Sequence, residues 1–255
     1  MSKKILLIVE GEADEVRFFR QLFKCCYRTL DFQFYSYRTN LHVLAQELYN
    51  NYPDFENDNI DIRLILSSLE PNDDKKKILK EEYSDVYMIF DFEPQDHNTH
   101  YDTVQRMLSY FVDSTEQGKL FINYPMMQSY KHFSKLPDKD FDNKTVAIDQ
   151  VKKYKSLVNA ESKFTDLSKY DYRTFYSIAY HHLRKAYGIQ SSKLCCPTRY
   201  IFCQLDYQDI YVKQVDLVKS KGQVWTLNTC ILGIIEFSPK KYFDFVEKRK
   251  EELYI

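Results

Sequence analysis

Backbone breakers are scarce in this chain, which has only 5 Gly and 7 Pro in 255 residues. So few breakers exclude a Pro/Gly-rich linker or a low-complexity array and leave regular elements with short connections. Net charge is nearly absent as well, at −1 from 36 Lys and Arg against 37 Asp and Glu. No global basic field therefore advertises a nucleic-acid partner, and any such surface is local. No apolar run approaches the roughly 20 residues of a membrane helix. The first residues lack the cationic, apolar, small-residue succession of a secretory signal. The cysteines at 25, 26, 195, 196, 203 and 230 form no CxxC pair, which removes the zinc-ribbon signal. They read as reduced core thiols of a cytoplasmic protein. There is no GxxxxGK[ST] loop, so any ATP hydrolysis has to come from a partner.

What is abundant is aromatic: 22 Tyr and 18 Phe beside a single Trp, so rings dominate the expected core. Apolar periodicity predicts strands at 4–9, 31–38, 60–66, 86–90 and 120–122 and helices at 12–26, 41–52 and 101–111. Residues 71–82, polar and Lys-rich, read as a loop plus a solvated helix. Strands and helices in that order favour an α/β fold with a mostly parallel, Rossmann-like sheet. After about Lys135 the periods become helical, at 146–158, 172–187, 199–217, 227–237 and 239–254, with the charged stretch 138–143 as the boundary. The expected organisation is a catalytic domain over 1–135 and a helical domain over 136–255.

Two acidic motifs, about eighty residues apart, carry the chemistry. The first is Ile8-Val9-Glu10-Gly11-Glu12-Ala13-Asp14-Glu15 and the second Tyr87-Met88-Ile89-Phe90-Asp91-Phe92-Glu93. Each closes an apolar run, and the C-terminal edge of an open α/β sheet is where sites form. Gly11 permits a tight turn, and Asp14 follows one helical turn after Glu10. On an extended strand Asp91 and Glu93 share one face, roughly 6.5 to 7 Å apart. Carboxylates gathered in this way suit a hard divalent cation, Mg²⁺ or Mn²⁺. The competing reading is that these acids complement helix dipoles.

Glu10-Gly11-x-x-Asp14 followed by Asp91-x-Glu93 resembles the Toprim domain, over about the first 130 residues. Glu93 replaces the usual second aspartate, and Gln95 stands where topoisomerases carry a third acid, which speaks against strand passage. Toprim domains occur in nucleases of the OLD type, among others, and the segment from Asn123 to Phe133 looks like the one after the DxD helix in RloB-like, AbiL-like and PARIS-type (AriB-like) effectors, with Gln128 in place of their glutamate. The resemblance implies Glu10, Asp14, Asp91 and Glu93 as metal ligands. It also implies a catalytic set of Glu10, Asp91, Glu93 and Lys119, with Lys119 or Lys131 on phosphate, the competing reading being that these lysines are simply solvated. The implied activity is Mg²⁺-dependent endonucleolytic hydrolysis of DNA or RNA, tRNA among the candidate substrates, by a toxic antiviral-defence effector working beside a separately encoded ABC- or AAA-type ATPase. A non-catalytic Toprim module that binds nucleic acid or a partner protein is the alternative, and homo-oligomerisation stays open.

Of four further features, three have two readings each. His97 and His100 suit proton transfer or phosphate binding, or are simply loop histidines. His181 and His182, set among aromatics, read as structural. Pro125 opens either the effector-like segment or an ordinary helix with Met126, Met127 and Tyr130 as core. Arg184 to Lys221 interleaves cations with Tyr187, Tyr200, Phe202, Tyr207 and Tyr211, which suits either a nucleic-acid strand or charged helices with buried tyrosines.

Overall fold

A computed structural model describes residues 3–94 and 100–253. The elements are β1 (Lys4–Val9), α1 (Asp14–Cys26), β2 (Asp31–Ser36), α2 (Leu41–Asn51), α3 (Ile62–Leu69), α4 (Asp73–Lys80), β3 (Asp85–Asp91), α5 (Tyr101–Tyr110), β4 (Val112–Asp113) and β5 (Gly118–Asn123). After them come β6 (Thr145–Ala147), α6 (Ile148–Val151), α7 (Tyr154–Glu161), α8 (Tyr172–Ser191), α9 (Arg199–Cys203), α10 (Tyr207–Lys221), β7 (Gln223–Trp225), α11 (Gly233–Phe237), α12 (Pro239–Lys248) and α13 (Lys250–Leu253). The chain forms two compact units, one of residues 3–91 and 100–121, the other of 92–94 and 122–253. The units therefore part earlier than the expected boundary, at Phe121 rather than Lys135. No helix among the described residues is long and apolar enough to cross a membrane.

The first unit is built on a five-stranded sheet of order β2-β1-β3-β5-β4. β1 pairs in parallel with β2 and β3, and β4 runs antiparallel to β5. Ile5 to Val9 have no solvent exposure, as expected for a strand covered on both faces. α1 buries Phe18, Phe19, Leu22 and Phe23 at helical spacing. Each such side chain contributes about 1.5–3 kcal/mol when removed from water.

The strand expected at 60–66 is instead the helix α3. The alternation Ile60-Ile62-Leu64-Leu66 needs Leu64 inside, but Leu64 is 68% exposed. Asp61 caps the helix by accepting from the Arg63 N–H at 2.8 Å, and Ile62, Ile65 and Leu66 form its buried face. Residues 71–82 do contain the solvated helix α4, capped by Asn72.

The second unit is mostly helical, with one addition: β6 and β7 pair antiparallel and bury Val146 against Val224. Its long helix α8 starts at Asp171, whose side chain accepts from Thr174 N–H at 2.9 Å. The helix carries a buried polar row: His181, His182 and Lys185. His181 Nε2 accepts from the Asp138 N–H at 3.3 Å, and His182 Nδ1 from the Asn228 N–H at 3.0 Å. Both histidines thus serve structure. None of the six cysteines forms a disulfide, and only Cys26 and Cys230 are the core thiols expected, since Cys196 and Cys203 are exposed and Cys25 and Cys195 half-buried.

Burial pushes the His181 imidazole down to about 4 against the pull of Asp138, and burial holds His182 well below its ordinary value. Both rings are neutral in the fold and protonate when the chain unfolds in acid. The stability they contribute is complete above the unfolded value of about 6.5 and is lost as pH falls toward 4. Each group contributes a slope of about 1.4 kcal/mol per pH unit inside that window. Melting temperature should therefore fall between pH 7 and pH 5, and His181→Gln, which keeps an acceptor for Asp138, should flatten the fall. An unchanged slope in that variant would assign the acid sensitivity elsewhere.

Candidate functional site at the strand ends

The C-terminal edge of the sheet is assembled by register. Val9 lies opposite Ser36 on one side and Ile89 on the other, so the residue after β1 emerges between the ends of β2 and β3. That residue is Glu10. Its Oε2 accepts from the Asp91 backbone N–H at 3.1 Å. The two motifs, remote in sequence, thus meet at one point of the first unit. Asp14 stands in the first turn of α1 with Glu15, where acids complement the helix N-terminus.

The turn between β1 and α1 is stitched to β2. Arg38 N–H donates to Glu10 O at 3.0 Å, and Ser36 Oγ donates to Gly11 O at 3.0 Å. Arg38 holds a left-handed backbone (φ 67°) and forms an ion pair with Glu12. Lys75 Nζ donates to Ser36 O at 3.1 Å. Below it, the Tyr35 hydroxyl donates to the buried Glu70 at 2.8 Å. Burial alone would raise Glu70, but hydrogen bonds from Asn72 N–H and Tyr35 outweigh it and hold its pKa below the usual carboxylate value. Burial, reinforced by that same bond, raises Tyr35. A charged lattice therefore braces the loop that presents Glu10.

Sequence reasoning missed three of these residues. Glu15 is buried, and its Oε2 would lie 2.9 Å from a Cβ added at Gly11, so glycine lets the carboxylate fold over the turn. The signal was the spacing Gly11-x-x-x-Glu15, a glycine one helical turn before an acid. Arg38 and Lys75 bring positive charge to the same edge. Arg38 had the clue of being the first cation after a strand, and Lys75 had none.

The other expected residues are placed differently. β3 ends at Asp91, and Glu93 takes a positive φ of 42°. The extended spacing expected for Asp91 and Glu93 therefore does not hold, since the chain turns between them. Glu93 belongs to the second unit, with its N–H toward Pro125 O at 3.5 Å. Lys119 sits at the other end of the sheet: Gly118 packs beside Val86 and Met88 near the start of β3. Five residue steps along the strand separate Val86 from Asp91, about 16 Å. The Lys119 ammonium lies 5.7 Å over the Phe121 ring. Lys131 Nζ donates to Asn159 at 3.3 Å in the second unit, where Gln128 is buried in a short 3₁₀ turn. His100 Nε2 is 2.6 Å from Gln46 Oε1, which ties it to α2. Gln95 and His97 lie outside the described residues. In the basic stretch 184–221, Lys185 and Tyr211 are buried and Arg184 pairs with Asp142, so the stretch is not one continuous binding face.

Among the described residues no three His, Cys, Asp or Glu side chains gather into a metal-holding group. The donors that do converge, Glu10 and Asp91, are hard carboxylates. That set fits Mg²⁺, which is characteristically held by one or two carboxylates with water and substrate phosphate completing its shell. It does not fit Zn²⁺ in a closed structural site. No family model matches the chain, and neither a curated protein nor a solved structure matches it.

Proposed function

We propose that this chain is a Toprim-type phosphodiesterase that hydrolyses DNA or RNA with Mg²⁺ or Mn²⁺ at Glu10 and Asp91. The observation that carries this reading is the 3.1 Å bond from the Asp91 N–H to the Glu10 carboxylate, which joins the two acidic motifs at a strand edge. Asp14, the first residue of α1, adds a carboxylate after the same strand end. Arg38, whose N–H donates to the Glu10 carbonyl, supplies a cation beside the same turn for orienting a phosphate. A divalent ion bound there supplies activation of water and stabilisation of the leaving oxygen. An effector role in antiviral defence, with a separately encoded ATPase as partner, belongs to the same proposal.

The position of Glu93 supports a second reading, a non-catalytic nucleic-acid or protein-binding module. The turn at 92–93 removes one expected ligand from the strand face. Calorimetry separates the readings. Mn²⁺ should bind the wild-type chain, and Asp91→Asn should weaken that binding at least ten-fold. Undiminished binding by the variant would remove Asp91 from the site and favour the module.

A further inference from the structure

The first unit carries a second feature that its strand-edge site does not use. Arg17, Arg20 and Lys24 lie on α1 at i, i+3 and i+7, hence on one face, and Arg28 follows just past the helix end. All four are exposed. Arg38, Arg63 and Arg106 each pair with a carboxylate, whereas none of these four forms an ion pair among the described residues. The last three rim a groove of about 500 Å³ whose floor is aromatic: Phe23, Tyr27 and Phe32. No carboxylate lines it. Phe23 and Phe32 pack with centroids 4.5 Å apart, and Arg20 lies over the neighbouring Phe34 ring at 5.7 Å. In a chain of net charge −1, this is a concentrated and uncompensated positive patch beside ring faces.

We propose that this groove binds single-stranded nucleic acid, with phosphates along the Arg17–Arg28 stripe and a base against the Phe32 side of the floor. Cations alone would fit any polyanion; cations interleaved with rings fit a strand whose phosphates and bases alternate. The choice of nucleic acid over another polyanion rests on the phosphodiesterase reading. The stripe starts three residues after Asp14, about 4.5 Å along the helix, so a strand lying on it leads toward the acidic edge.

The test is fluorescence anisotropy with a labelled 12-mer, as RNA and as DNA, in chelator without metal. Measured this way, binding does not depend on whether the chain cleaves. Arg20→Glu combined with Lys24→Glu should raise Kd at least ten-fold and reduce the salt slope by about 1.4, from about 0.7 per phosphate on single strands. Phe32→Leu, which keeps an apolar side chain but removes the ring, should weaken binding several-fold with little change in slope. Lys152→Glu with Lys153→Glu, also exposed, serves as the charge control. Melting curves verify that each variant is folded. Equal losses in the stripe and control variants would overturn the proposal. So would competition by polyglutamate as effective as unlabelled 12-mer together with an indifferent Phe32→Leu, which would make the groove an acidic-polypeptide surface.

Discussion

Glu10→Gln should abolish nucleic-acid cleavage while leaving the fold intact. The variant changes one charge and almost no volume. A glutamine Oε1 still accepts from the Asp91 N–H, so the bond that positions the two strand ends at 3.1 Å persists in weaker, neutral form. Glu10 is only partly buried, and its side chain lies outside the apolar core, so no cavity opens. The stability change should stay within about 1 kcal/mol. Losing the carboxylate removes a hard ligand and its share of transition-state charge stabilisation, several kcal/mol of barrier. That corresponds to about a thousand-fold in rate or more. The measurement is gel analysis of total DNA and of tRNA after expression, with cell viability and melting temperature alongside. A folded Glu10→Gln chain that cleaves as fast as wild type would remove the phosphodiesterase reading and leave the binding module. Loss of cleavage with an undisturbed melting temperature would place the effect in chemistry rather than folding.

The strand edge was legible because two physical signals coincide there. Ile5–Val9 and Val86–Phe90 are apolar without interruption, which marks strands buried on both faces, and each run ends on a carboxylate. Parallel neighbours with those properties must bring Glu10 and Asp91 to the same edge, and the register Val9 to Ile89 does so. Glu93 was not legible, because the positive φ two residues past a strand leaves no trace in an alternating pattern. Ile60 to Leu66 fits a period of 2 as well as one of 3.6, and the Asp61 cap decided for helix. β6 and β7 are three residues each, too short for any period, and their pairing joins positions near 146 and 224. The same holds for the unit boundary. Tyr124 bridges to Leu227, a partner about a hundred residues away, and this long-range pair draws the segment after Phe121 into the second unit. The cationic stripe on α1 was written in the sequence at helical spacing. Its meaning came only with the absence of ion pairs to it among the described residues, which no linear pattern states.

Removing the guanidinium of Arg184 should strongly destabilise the second unit. Arg184 Nη2 is 3.2 Å from Asp142 Oδ2, and the Asp142 side chain is only 5% exposed. Burial raises Asp142, and Arg184 and Lys185 oppose that rise. Lys185 is itself buried and occupied: its Nζ donates to the Phe141 carbonyl at 2.8 Å, the Lys144 carbonyl at 2.6 Å and Thr226 Oγ1 at 3.2 Å. It is not free to swing onto Asp142. Arg184→Met keeps the aliphatic stem and leaves a buried carboxylate without its direct partner. Breaking such a pair from one side costs about 3–5 kcal/mol, because the remaining charge stays desolvated. For a chain of this size, that lowers the melting temperature by roughly 6 °C or more. Adding Asp142→Asn removes the stranded charge, so the double variant should recover more than half of the loss. Lys185→Met should cost less than Arg184→Met. The Phe141 and Lys144 carbonyls keep second donors, from Lys144 N–H at 3.1 Å and Thr226 N–H at 3.1 Å respectively, so no acceptor is orphaned. Melting curves of wild type, Arg184→Met, Asp142→Asn and the double variant form the cycle that measures the pair. A double variant no more stable than Arg184→Met alone would show that lost packing, rather than the uncompensated Asp142 carboxylate, causes the damage.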